Sequence, residues 1–459
     1  MPAVTYRAND IELDVVALFN SKRNNVDLDK SLVEFSIFQD LFSKGIKCEL
    51  LLHDANALID TVPIVGDETI VIQFRTPTFK KKRRYVFRVY KITDRAVVEQ
   101  RAEEYVLHGI SQEVMSNERK SVNKSFIDLK GSEIITAIYE NYLRPTEEEY
   151  GVVKKNIGLT VQDTLQNHSI VFPGEKPFTA IDYIAGETFP EAQTQESDTP
   201  NFIFFQREDG WHFRTIDSLL ESEPVEDFFY APANNEKQPA SDEERVVHAF
   251  QKISTFDIEN QLDTIDNLEN GLFAHKVETI DPILKTFTTE DFLYSRDMGE
   301  IAHLEKDKKG FGGEFLVSAD SFFNIDADTS TSYYSISNVG QNYPDIIPIS
   351  SAVETDPQIR NPRRIHERIK FDIASRFQLS NIVLGITIPG NSDIEIGNVI
   401  NVHAPMATEN VDFSKKLKLL YDKKFFVTVV RHTYQKEDNV FFTKLECVKD
   451  TYAKKTVEV

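Results

Sequence analysis

The sequence predicts a mainly β protein with an α+β insert, organised on two similar antiparallel β-barrels. Between Phe371 and Val448, Ile382, Leu384, Ile386 and Ile388 alternate with Val383, Gly385 and Thr387, the period of two that places one row of side chains on one sheet face. Near the N-terminus the turn Pro63-Ile64-Val65-Gly66-Asp67-Glu68, the strand Thr69 to Phe74 and the stop Thr76-Pro77 precede two further strands. The same order returns late in the chain: Ile394-Glu395-Ile396-Gly397, then Val399 to Val402, then Ala404-Pro405, then two strands. A diverged internal repeat, and so a duplicated barrel, accounts for both.

The elements follow in order. Asp10 to Phe19 and Leu32 to Phe38 offer early strands, and Cys48 to His53 and Thr69 to Phe74 continue the sheet. The run Lys80, Lys81, Lys82, Arg83 and Arg84 lies between Pro77 and a strand from Tyr85 to Ile92, which predicts a basic hairpin loop. Tyr105 to Ile110 completes the first barrel. Ile134, Ile135, Ile138, Tyr139, Tyr142 and Leu143 follow helical spacing, with Ser132 as N-cap and Pro145 past the end, a helix expected to close that barrel.

Pro177 to Ala185 reads as a second helix with Pro in its first turn. Phe202 to Gln206 and Trp211 to Thr215 flank Glu208-Asp209-Gly210, a hairpin signal. Tyr230 to Arg245 reads as a linker, and Phe256 to Leu268 as a short helix. Leu272 to Thr279 and Ile283 to Thr288 form an expected hairpin opening the second barrel, and Lys306 to Pro348 a long excursion. Phe425 to His432 and Val440 to Val448 close the chain as strands joined by a polar turn. The expected domains are 1–130, the first barrel; 131–230, the α+β insert; 231–295, the start of the second barrel; 296–362, the excursion; and 363–459, the remainder of that barrel.

Composition bounds the function. A chain of 459 residues with 33 Phe buries sizeable cores, which excludes a disordered scaffold. Its two cysteines, Cys48 and Cys447, lie far apart in strand-like runs and read as core residues, not a disulfide framework. No signal-peptide pattern and no membrane-spanning apolar run is seen, so a soluble chain made in the cytoplasm is expected. The formal net charge of −22 disfavours wrapping nucleic acid with the average surface.

Chemistry-bearing patterns are weak. The ten histidines show no His-Glu-x-x-His spacing, and Asn324-Ile325-Asp326-Ala327-Asp328 lacks the glycine and glutamate of a calcium loop. Gly310-Phe311-Gly312-Gly313 follows no apolar strand, and no Gly-x-Ser-x-Gly elbow is present. The expectation is therefore no catalytic, metal or cofactor residue, and not an enzyme.

The ordered set Leu50 to Asp54 with Pro63 to Glu68, Ser125-Phe126 with Ser132 to Ile135, Pro177 to Ala185 and Phe202 to Ile216 continues through Asn270-Gly271-Leu272. Ile388-Pro389-Gly390-Asn391, Gly397 to Ile400, Val427 to His432 and Val448-Lys449-Asp450 complete it. In this order the chain resembles the central baseplate hub proteins of T4-like contractile-tailed phages. The resemblance implies a homotrimer whose six tail-tube-like barrels form a pseudo-hexameric ring. A separate trimeric spike protein would sit below it, and a tail-tube or tube-initiator protein above. The tape-measure protein is a further implied partner. DNA would pass through the lumen without specific binding, and no membrane is involved. The implied location is the virion's tail baseplate, with assembly in the host cytoplasm.

Charge adds two expectations. Carboxylates should face the channel so that passing DNA is not held, and the run Lys80, Lys81, Lys82, Arg83 and Arg84 should point away from the axis as an assembly contact. Two other classes compete: an all-β carbohydrate-binding or carbohydrate-degrading tail protein, and a nucleic-acid-binding module using the basic run. The single tryptophan, Trp211, argues against the first and the acidic remainder against the second.

Overall fold

The computed structural model describes residues 9–20, 25–61, 64–76, 82–99, 102–145, 158–165, 167–191, 199–230, 249–260, 263–281, 285–297, 301–304, 313–314, 331–336, 362–379, 382–404, 423–450 and 452–453. The first half contains β1 (Glu12–Phe19), β2 (Asn25–Asp27), β3 (Leu32–Asp40), β4 (Lys47–Asp54), β5 (Thr69–Arg75), β6 (Arg83–Glu99) and β7 (Ala102–Ile110). Period-two alternation decides their faces: Phe35 and Ile37, Cys48, Leu50 and Leu52, Ile70 and Ile72, Tyr85 and Phe87, and Tyr105 and Leu107 meet in one buried core.

The insert follows as α1 (Gln112–Arg119), β8 (Val122–Lys130), α2 (Gly131–Ile138), β9 (Gly158–Val161), β10 (Asn167–Glu175), α3 (Pro177–Glu187), β11 (Phe202–Arg207), β12 (Gly210–Thr215) and α4 (Ile216–Leu220). Helix α2 does not close the first barrel: Ile134, Ile135 and Ile138 pack with Phe126, Phe172, Ile181 and Trp211 in a core of the insert's own. Its N-cap is Lys130, not Ser132. The Lys130 amide donates to Glu133 Oε2 at 2.9 Å, and the Ser132 amide donates to Thr164 Oγ1 at 3.0 Å. The β11–β12 hairpin forms at Gly210, whose φ of +149° and close approach to Gly158 O, 2.3 Å from where a Cβ would sit, leave no room for a side chain.

The remainder contains β13 (Asp227–Phe229), β14 (Thr255–Asn260), α5 (Thr264–Glu269), β15 (Ala274–Asp281), β16 (Thr286–Leu293), β17 (Gly313–Glu314), β18 (Thr331–Ile336), α6 (Pro362–Gln378), β19 (Ile382–Pro389), β20 (Val399–His403), β21 (Lys423–Gln435), β22 (Val440–Lys449) and β23 (Tyr452–Ala453). Three expectations change here. Phe256 to Leu268 is a strand and then a short helix capped by Asp263, whose side chain accepts from the Asp266 amide. The β15–β16 hairpin does not open the second barrel; it forms a separate sheet with β18, which runs parallel to β15. Helix α6, unforeseen, supplies Phe371 and Ala374 to the same small core as Leu272, Phe273 and Phe292.

The chain is mainly β with an α+β insert, as expected; of the two antiparallel barrels expected, the described residues show one sheet of 13 strands that spans both halves. Its path runs β14-β19-β22-β21-β3-β4-β7-β6-β5-β1-β2, with β20 beside β21 and β13 beside β20. Each half keeps a separate core, the second built from Leu384, Ile386, Val399, Ile400, Phe425, Phe426, Val430 and Leu445.

The strand order is nevertheless duplicated. In the first half β3, β4, β7, β6 and β5 lie side by side, and in the second β14, β19, β22, β21 and β20, every pair antiparallel. The register agrees too: Thr69 faces Arg88, which faces Ile110, as Val399 faces Phe426, which faces Val448. Both halves carry a bulge two residues later, at Tyr90 between Val89 and Lys91 and at Thr428 between Val427 and Val429. Past its bulge β21 leaves β20 and pairs with β3, which welds the halves together.

Candidate functional site

The basic run is divided by the fold. Lys80 and Lys81 lie outside the described residues, and Lys82 Nζ pairs with Asp14 at 2.9 Å. Arg83 and Arg84 are not loop residues; they begin β6, facing Phe74 and Gln73 of β5. Arg83 is therefore engaged inside the chain rather than at an outer contact, with 5% of its side chain exposed.

Arg83 joins three parts of the molecule that lie far apart in sequence. Its Nη1 reaches Glu208 Oε2 at 2.9 Å, in the β11–β12 turn, and Glu395 Oε1 at 3.6 Å. Its Nη2 reaches Asp393 Oδ1 at 2.8 Å, in the loop between β19 and β20. The neighbouring hairpin residue Arg207 donates from Nε to the Ile396 carbonyl at 2.7 Å, and the Glu208 amide donates to Glu395 Oε1 at 3.2 Å. Thr76 Oγ1 donates to Ser392 Oγ at 3.3 Å, a further tie between the halves.

Burial opposes the Arg83 charge, but Glu395 and Glu208 more than offset it, so its pKa lies above the ordinary arginine value. Burial raises Glu395, against the pull of Arg83 and Arg207. Burial likewise raises Tyr85, beside the same carboxylates. The hairpin that carries Glu208 is itself shared: Phe202 and Phe204 enter the insert core, and Ile203 and Phe205 that of the second half. The arrangement fixes orientation; it presents no nucleophile with a base.

The second feature is the sheet face opposite the cores. Cross-strand pairing sets Lys444, Arg431, Phe38 and Lys47 in one row, with Arg88 at its end. The next row holds Asp257 on β14, Glu446 on β22 and Asp40 on β3. Like charges opposite each other destabilise a ladder, yet the Arg431 guanidinium lies 4.7 Å from the Phe38 ring centroid and Lys444 Nζ 5.8 Å from that of Phe442. Burial, then Glu259 and Asp40, raise the Glu446 pKa. The face carries both signs, ordered in rows.

Other sequence candidates add little. Asn324 to Asp328 and Gly310 to Gly312 lie outside the described residues, and Gly313 opens β17. Among the described residues no group of three or more His, Cys, Asp or Glu side chains is placed to hold a metal ion. Cys48 and Cys447 are buried free thiols. His303 Nδ1 lies 2.6 Å from Asp450 Oδ2, both fully buried, pinning residues 301–304 to the end of β22. Neither this pair nor the Arg83 junction was foreseen: both couple residues more than 100 positions apart, and no local pattern announces such a partner.

No family model matches the sequence, and no curated protein matches it. The fold, in contrast, has counterparts among solved structures. The structure of the tail protein from Neisseria meningitidis MC58 superposes with a TM-score of 0.53 at 11% identity, covering 98% of this chain and 98% of that one. The 43 kDa tail protein of prophage MuSo2 from Shewanella oneidensis gives 0.51 at 8% identity, over 96% and 98% of the two chains. The chain has the fold of phage tail proteins. At these identities the agreement is one of backbone, and it extends over essentially the whole length of both relatives.

Proposed function

We propose that this chain is the structural hub of a contractile tail baseplate, a trimeric adaptor between a sixfold tube and a threefold spike. The observation that carries the reading is the duplication of strand order, register and bulge position in one chain. Three copies of a two-module chain present six equivalent modules to a sixfold tube while remaining threefold toward a spike, and neither competing class requires such a repeat. The role is one of assembly rather than catalysis, its place the virion tail, and its partners a separate trimeric spike and a tube or tube-initiator protein.

The test is the oligomeric state of the purified chain, alone and with the spike, by light scattering and electron microscopy. A threefold particle with an axial channel supports the reading; a chain that stays monomeric with its spike and tube partners present overturns it. The remaining basic residues belong to this proposal. Replacing Lys80, Lys81 and Lys82 by Ser, with Arg83 kept, slows assembly in low salt if they steer docking onto an acidic partner, and leaves it unchanged if they do not.

A further inference from the structure

A polar layer separates the two cores where the halves meet. Neighbouring strands β3, β21 and β22 cross from one core to the other, each with a single polar side chain between its apolar ones on the buried face. On β3 Ile37 lies in the first core and Leu41, just past the strand, in the second, with Gln39 between them. On β21 Tyr434 and Val430 flank His432, and on β22 Phe441 and Leu445 flank Thr443 in the same way. The period of two puts each trio on one face of its strand. Strand β6 reaches the same layer: Gln39 Nε2 donates to Tyr85 Oη at 3.4 Å, and the Arg83 charge acts on both Tyr85 and His432.

Hydrogen bonds within the protein do not close this layer. His432 Nδ1 lies 3.0 Å from Thr443 Oγ1, and Thr443 Oγ1 accepts from the Asn391 amide at 3.1 Å. His432 Nε2, Gln39 Oε1 and Arg83 Nε find no partner among the described residues, although Gln39 and His432 are 1% and 0% exposed and Arg83 is buried. Turning the Gln39 amide over only exchanges the orphan, from Oε1 to Nε2. Native structures satisfy buried polar groups, with water where protein groups do not reach.

We infer that ordered water occupies this layer and bridges Gln39, His432 and Arg83, so that the halves are joined through a hydrated seam rather than one continuous apolar core. The chemistry of the three atoms selects the ligand. Gln39 Oε1 accepts, Arg83 Nε–H donates, and the neutral ring of His432 does either according to its tautomer. Water offers two donors and two acceptors and suits such a mixed set. Glu208 and Glu395 disfavour an anion beside Arg83, and Arg83 disfavours a cation. Such a layer is a property of the single chain and needs no ring.

The test is a crystal structure of the full-length chain that resolves ordered water, together with a count of long-lived internal water in solution by magnetic relaxation dispersion. Water is expected within about 3.2 Å of Gln39 Oε1 and of His432 Nε2. Side chains bonded directly to other protein groups, or a dry layer, overturn the inference, and so does a bromide soak that fills the site, which would make the ligand an anion. In solution the variant Gln39→Leu with His432→Leu is expected to lose at least one long-lived water relative to the parent, and an unchanged count overturns the site. Should that variant fail to fold, Gln39→Met alone gives the same comparison.

Discussion

At the scale of the residue, Arg83 is the group on which most of the architecture converges. A buried ion cluster does not by itself stabilise a fold, because desolvation consumes much of the Coulomb gain, but deleting one member leaves the others unpaired. Arg83→Met, which removes the charge and keeps much of the volume, is expected to lower unfolding free energy by about 3–5 kcal/mol in urea denaturation. Glu208→Gln and Glu395→Gln added to it should recover part of that loss; a triple variant no more stable than Arg83→Met would show that the uncompensated carboxylates were not the cause.

His432 gives a pH prediction at the same scale. It is fully buried, its Nδ1 lies 3.0 Å from Thr443 Oγ1, and burial, then Arg83, lowers its pKa to about 3. An unfolded histidine titrates near 6.5. The unfolded chain therefore takes up a proton that the folded chain refuses, and stability is lost as the pH falls from about 6.5 toward 3. His168, lowered to about 4 by burial, acts with the same sign. Glu395, raised, acts with the opposite sign, so the informative quantity is the difference between the parent and His432→Leu: the variant is expected to lose less stability between pH 7 and 5.

At the scale of the element, close packing of strands sets the local tolerances. Gly390 ends β19 where its amide donates to the Phe441 carbonyl at 2.9 Å, and an added Cβ would fall 1.9 Å from the Phe441 ring. Gly390→Ala should cost about 1–3 kcal/mol through overpacking, read in the same denaturation experiment. Gly186 has nothing within 4 Å of an added Cβ and lies inside α3, so Gly186→Ala is expected to be neutral or stabilising by up to about 1 kcal/mol. The two bulges matter more than their size suggests: at Thr428 β21 passes from β20 to β3, and at Tyr90 the ladder of β6 with β5 has ended.

At the scale of the whole molecule, the hub proposal carries the further expectation that duplex DNA passes the ring without being held. The formal charge of −22 per chain makes a channel that holds DNA by counterion release unfavourable, though the ordered sheet face carries Lys444, Arg431 and Lys47 beside Asp257, Glu446 and Asp40. The purified ring is expected to retain no duplex in moderate salt. Retention that weakens steeply with salt would mean that Lys and Arg outweigh Asp and Glu on the surface that meets the DNA.

What the sequence determined by itself was the strands, the hairpins and the repeat, because alternation and glycine or proline stops are local and act within a few residues. Ile382 to Ile388, Phe202 to Thr215 and the turn before Val399 were legible for that reason, and the likeness to hub proteins rested on their order. What only the tertiary structure decided were the partners across distance. Arg83 lay in a run of five basic residues that read as a hairpin loop for an assembly contact, and nothing near it in the chain specifies Glu208, Asp393 or Glu395. The hairpin of β15 and β16 had the right pattern for a barrel strand pair, yet β18 and α6 took it into another sheet and core. Pattern fixes which face of a strand is buried; which strand lies beside it is settled by long-range packing and by the bulges that free an edge at Thr428 and Tyr90.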